Sequence, residues 1–173
     1  MTSPENEQSV PLDVVESRMR PGRFSQAGFL GPEESLIRTL EDDARVLGDL
    51  GLVAKTLAEG LESLLIAALE STPTSTSAGR FVVHIRRYKG PQICPFAPQP
   101  HKNPCPGPGD RRLASIDWKI NNPRNGVILE GPGLVVHLIA AHSFFEGSKS
   151  PYRVAPESLA QLLELGPFAR AKR

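Results

Sequence analysis

Three features of the chain predict an α+β protein: two apolar stripes at helical spacing before residue 71, one alternating run at 81–86, and a second half punctuated by Pro and Gly. In this reading an N-terminal helical hairpin precedes a small antiparallel three-stranded sheet. C-terminal helices pack on that sheet, and a long Pro-rich loop interrupts it. The expected segments are a partly disordered flexible arm at 1–30, the hairpin at 31–71, a linker at 72–79, an α+β unit at 80–168 and a basic tail at 169–173.

Residues 1–30 are polar, carry Pro4, Pro11 and Pro21, and show no sustained period, so the first ten read as disordered and the rest as an arm. Phe24, Phe29 and Leu30 are apolar enough to seat that arm on the body. Gly31-Pro32-Glu33-Glu34 predicts a helix start, because Pro suits the first helical position and acids favour the positive end of the helix dipole. Ile37, Leu40, Ala44 and Leu47 then form its apolar stripe, and Gly48 and Gly51 loosen it. A second helix follows from about 52 or 56 to Glu70, with Leu57, Leu61, Leu64, Leu65 and Ala68 as its stripe. The segment 33–70 holds more acids than bases, which argues against a surface that tracks phosphates.

The Ser/Thr-rich stretch 71–79 has linker composition. Beyond it, Phe81, Val83 and Ile85 alternate with His84 and Arg86, the period-2 signature of a strand with one buried face. Residues 90–110 contain seven prolines and exclude both helix and central strand. A second strand is expected over Arg112–Ile120, a turn over Asn122–Gly126 and a third strand over Val127–Leu129. An apolar helix is then expected from about Pro132 to Phe144, and Pro156-Glu157 begins a last helix carrying Leu159, Leu162 and Leu163.

Charge sets limits on function. Twenty Lys and Arg stand against 19 Asp and Glu, so the net charge of +1 supplies no global attraction to nucleic acid or to an anionic membrane. The start, MTSPENEQSV, lacks a basic region followed by an apolar one, and the apolar runs Leu64–Leu69 and Leu134–Ala141 fall far short of the roughly 20 residues that span a bilayer. The expected location is cytoplasmic, with no membrane. Thiols stay reduced there, so a Cys pair is read as metal-binding or redox-active before it is read as a structural disulfide. In an exported protein the same pair would be a loop-closing bridge.

The residues that could carry chemistry are Cys94 and Cys105 in the Pro-rich loop and His137 and His142 on the following helix. Two thiolates and two imidazoles are a donor set for zinc, and two His separated by three to five residues at a helix end form a recurrent half-site. Residues five apart sit about 140° around an ideal helix, so both imidazoles can reach one ion only if the helix ends just past His142. The Cys half is unusual, with ten residues between the thiols where knuckles have two to four. The prolines compensate by pre-shaping a wide turn. His84, His101 and Glu146 compete as substitute ligands. The plainer reading keeps Cys94 as a small buried hydrophobe, His137 as a core histidine, and Glu146 as a solvated acid at a helix end.

Other motifs are weaker. The Gly-Pro-Gly runs at 107–109 and 131–133 lack the lysine of a phosphate loop, and no Gly-x-Ser-x-Gly elbow occurs. Arg86, Arg87, Lys89, Arg111 and Arg112 gather positive charge near Tyr88 and Phe96, a pattern that can serve nucleic acid through charge and stacking. The expected function is a non-enzymatic, zinc-stabilised binding or adaptor protein with a protein partner. Two alternatives differ in class: a zinc hydrolase with an open metal position, and a small nucleic-acid-binding protein using the Arg86–Lys89 and Arg111–Arg112 cluster, which the near-zero net charge disfavours.

Overall fold

The computed structural model describes residues 9–71 and 75–170. It is an α+β fold with five helices: α1 (Leu12–Met19), α2 (Leu36–Leu50), α3 (Ala54–Glu70), α4 (Leu134–His142) and α5 (Pro156–Leu163). The three strands anticipated after residue 80 are present as β2 (Phe81–Arg87), β3 (Ile116–Asn122) and β4 (Val127–Pro132). A short fourth strand, β1 (Ser75–Ala78), pairs with β2, so the sheet order is β1-β2-β3-β4, antiparallel throughout. Four of the eight residues expected to be a linker, 75–78, are therefore sheet, and 72–74 lie outside the described residues. The Thr and Ser content that suggests a linker is equally compatible with an edge strand.

Register follows the pleat. In β2, Phe81, Val83 and Ile85 are buried while His84 and Arg86 are exposed; in β3, Ile116, Trp118 and Ile120 face the same side. These residues join Leu57, Leu61 and Leu65 of α3, Val135, Val136 and Ile139 of α4, and Leu159 and Leu162 of α5 in one main core. Trp118 donates its indole N–H to the Pro132 carbonyl at 3.0 Å, which settles the one polar atom of a buried ring. The expected strand over Arg112–Ile120 starts later than its composition suggests. Residues 111–115 form a 3₁₀ turn capped by Asp110, whose side chain accepts from the Arg112 amide at 2.9 Å.

The first long helix also starts later. Pro32-Glu33-Glu34 is a turn, and Ser35 is the N-cap, its hydroxyl accepting from the Arg38 amide. The Glu34 carboxylate accepts instead from the Gly31 and Lys149 amides and the Ser148 hydroxyl. The buried face is Leu36, Asp43 and Leu47, one step round from the predicted stripe, and Ile37 is 51% exposed. The carboxylate of Asp43, 2% exposed, sits against the Arg153 guanidinium, a buried ion pair.

The arm is the largest departure. Residues 1–8 lie outside the described residues, as do 171–173 of the basic tail. Leu12–Met19 is helical, and Val15 and Met19 are buried with Phe29, Leu30, Leu36, Cys94, Ala97, Leu134, Leu138 and Phe144 in a second core. Pro11 caps a segment in which Leu12, Val15 and Met19 recur three and four apart, a short helical signal that two flanking prolines obscure. Helix α4 is apolar on nearly every side because it is the wall between the two cores, with Val135, Val136 and Ile139 in one and Leu134 and Leu138 in the other.

Candidate metal centre

The site is assembled from a turn, a loop and a helix end. Cys94-Pro95-Phe96-Ala97 is a β-turn closed by the Ala97 amide on the Cys94 carbonyl at 3.1 Å, with Pro at its second position. The amides of Phe96 and Ala97 are also aimed at the Cys94 sulfur. The turn is pinned from outside by Arg18 of α1, whose Nη1 donates to the carbonyls of Pro95 (3.0 Å) and Ala97 (2.8 Å). Arg18 also lies over the Phe24 ring at 5.7 Å, and Phe24 stands 5.8 Å from the His101 ring.

The far end of the loop is fixed by a close approach. Gly109 has φ +116°, and a Cβ there would lie 3.2 Å from that of His137, so the chain passes against α4 only as glycine. The Asp110 amide then donates to Glu62 of α3 at 2.7 Å. Helix α4 ends at His142 because Ser143 turns left-handed (φ 52°), with its amide on Ile139 and that of Phe144 on Leu138. This is the termination that two imidazoles five residues apart require to converge.

They do converge. One donor atom from each of Cys94, Cys105, His137 and His142 lies within 4.8 Å of all the others. His142 Nε2 is 3.5 Å from the Cys94 sulfur and 3.4 Å from that of Cys105. A tetrahedral ion with zinc bond lengths sets a sulfur to nitrogen edge of roughly 3.6 Å. Phe96 stacks on the His142 ring at 4.0 Å and 9°, holding its plane, and the His137 ring meets it edge-on at 5.2 Å.

The tautomers are set by partners. His137 Nδ1 is 2.9 Å from the Pro108 carbonyl, which can only accept, so Nδ1 carries the proton and Nε2 presents a lone pair. That Nε2 is buried and has no hydrogen-bond partner among the described residues. A buried acceptor without a donor is costly unless something cationic serves it. Burial, with His137 alongside, lowers the His142 pKa to about 4, so its imidazole is neutral at pH 7 as ligation requires. Burial first, and the neighbouring Cys105 second, push the Cys94 thiol well above its ordinary value, while the two turn amides act in the opposite direction. A divalent cation reverses that balance by favouring the thiolate. The four residues thus form a Cys2His2 cluster able to hold a metal ion.

The competing residues lie elsewhere. His84 is exposed on the outer face of β2, and His101 is exposed on the loop. Glu146, expected to be solvated, is 1% exposed; its backbone is left-handed (φ 66°) and its carboxylate accepts from Ser150 Oγ at 2.6 Å. None of the three joins the cluster. Two of the five basic residues singled out above are paired with carboxylates among the described residues, and a third is held by a carbonyl. Arg86 pairs with Asp117, Arg112 with Asp110, and Arg87 donates to the Leu69 carbonyl. Phe96, a stacking candidate for bases, is committed to His142.

Beside the cluster lies a cleft of about 570 Å³ between the Pro-rich loop, the 3₁₀ turn at 111–115 and the start of α4, and Cys94, Cys105 and His137 line it. Sequence reasoning identified the four donors from residue type and missed the supports: Arg18, Phe96 and the Pro108 carbonyl. Only the prolines before Phe96 and after Gly107 hinted at preformed turns. Among the described residues no helix is long and apolar enough to cross a membrane. Comparison with protein-family models, with curated proteins and with solved structures finds no match.

Proposed function

We propose that this chain is a zinc-stabilised binding or adaptor protein of the cytoplasm, not an enzyme, in which the ion ties the Pro-rich loop to α4 and the loop meets a protein partner. The observation that carries the reading is the buried lone pair of His137 Nε2, directed by the Pro108 carbonyl and lacking any partner among the described residues, within reach of two thiols and a neutral imidazole. The donor set selects zinc over hard cations, which take oxygen ligands, and four protein ligands saturate a tetrahedral ion, leaving no place for a reactive water. The hydrolase alternative needs Glu146 or an open position, and Glu146 is engaged with Ser150.

The test is metal analysis of the purified chain with X-ray absorption at the zinc edge. About one zinc per chain with two sulfur and two nitrogen neighbours is expected, and loss of the metal in Cys94→Ser and in His142→Ala. Three protein ligands and a bound water would replace this reading with the hydrolase; metal-free protein of unchanged stability would end both.

A further inference from the structure

We propose that the cleft beside the cluster is a binding site for a small organic anion, an apolar body ending in a carboxylate, whose charge is met by Lys102 and Arg111. The inference goes beyond the adaptor reading and rests on it only in that the ion would fix the loop forming one wall. A volume of about 570 Å³ falls in the range of small-molecule sites, roughly 300–1,000 Å³. Its walls are apolar: Pro91, Ile93, Ala97, Pro104 and Leu134. A rigid wall of prolines keeps such a space open without a side chain to collapse into it.

The charge on the rim is uneven. Lys102, Arg111 and Arg112 line the cleft against a single carboxylate, Asp110. Arg112 is taken, bonded to Asp110 by two guanidinium nitrogens. Lys102 and Arg111 are exposed, and among the described residues neither has an ion-pair partner. Two uncommitted cations over an apolar hollow complement a ligand that is itself apolar at one end and anionic at the other. Gln92 also lines the cleft, and its Oε1 is buried with no hydrogen-bond partner among the described residues; an acceptor-only carboxylate cannot serve it, so its partner would be a water in the cleft.

Isothermal titration of the full, metal-loaded chain with decanoate, and separately with decanol, tests the site. Saturable one-to-one binding of decanoate is expected, weakened at least tenfold in the surface variant Lys102→Ala/Arg111→Ala while decanol is little affected. Ile93→Trp, which fills the cleft, should abolish both. Absence of saturable decanoate binding, or equal binding by the Lys102→Ala/Arg111→Ala variant, overturns the proposal. Zinc is quantified in the same samples to separate the two readings. Equimolar zinc without decanoate binding removes the cleft ligand and leaves the metal centre standing. Charge-dependent decanoate binding by a zinc-free chain supports the cleft and removes the metal.

Discussion

The two cores on either side of α4 are held together differently. The main core joins α3, the sheet, α4 and α5 through aliphatic and aromatic side chains, with Trp118 contributing one satisfied polar atom. The small core joins α1, the start of α2 and the Pro-rich loop, and it includes Cys94 among its buried members. Among the described residues its loop wall pairs with no strand. It relies on single fastenings: the Gln92 amide on the Ala114 carbonyl at 2.8 Å, Arg18 on the Cys94 turn, Asp110 on Glu62, Gly109 against His137, and the thiol–imidazole cluster. A region built on burial area loses stability in proportion to what is removed. A region built on a few fastenings opens when one is undone.

The largest effect should come from Phe145→Ala, which empties a fully buried position of the main core. A loss of about 3–5 kcal/mol is expected, with one cooperative urea transition for the whole chain. Separate transitions for the two cores would show that they are independent.

Glu146 should give the clearest pH dependence. Burial raises its pKa from 4.5 to about 7, with the Ser150 hydrogen bond and Arg153 acting in the lowering direction. Between those values the folded chain holds a proton that the unfolded chain has released. Stability therefore falls as pH rises from about 4.5 to 7, by about 3 kcal/mol from this group alone. In Glu146→Gln, which keeps the shape and loses the charge, urea melts between pH 5 and 8 should show that slope flattened and the chain more stable at pH 8. An unchanged slope would place the titration elsewhere.

A smaller, local effect is expected from Arg18→Ala. Losing charged hydrogen bonds to two carbonyls costs about 2 kcal/mol, and it should fall on the small core: hydrogen exchange should quicken at 90–110 and 12–19 with β2 to β4 little changed. Equal loss of protection across the sheet would contradict the division drawn above. The smallest effect should be Arg86→Ala. Its bridge to Asp117 is surface-borne, with the Arg86 side chain 81% exposed, and the same melts should show no resolvable change in stability.

What could be read in advance divides along the same line. The periods of α3 and β2 and the Asn122–Gly126 turn are local, and local pattern reports them. The four residues of the cluster were legible as a group because Cys and His are few and chemically marked. Arg18 reaches carbonyls 77 and 79 residues away, and nothing in its neighbourhood distinguishes it from a solvated arginine. Glu146 is similar: a Glu after two Phe reads as a polar helix end, and neither its left-handed backbone nor its contact with Ser150 is marked in the local pattern. The 3₁₀ turn at 111–115 resembles a strand because Leu113 is buried and its neighbours are not; Asp110 as a cap decides otherwise.

The chain order of the cluster has a consequence for biosynthesis. His142 meets a sulfur 48 positions earlier in the chain. At about 5–20 residues per second, Cys94 is joined to the chain roughly 2–10 s before His142 is. For that interval the thiols of the nascent chain have neither helix nor histidines to shelter them, though α1 and its arginine are already made. The arm that clasps the Cys94 turn is thus the earliest partner the loop can find, a cradle in place before its final fastening arrives.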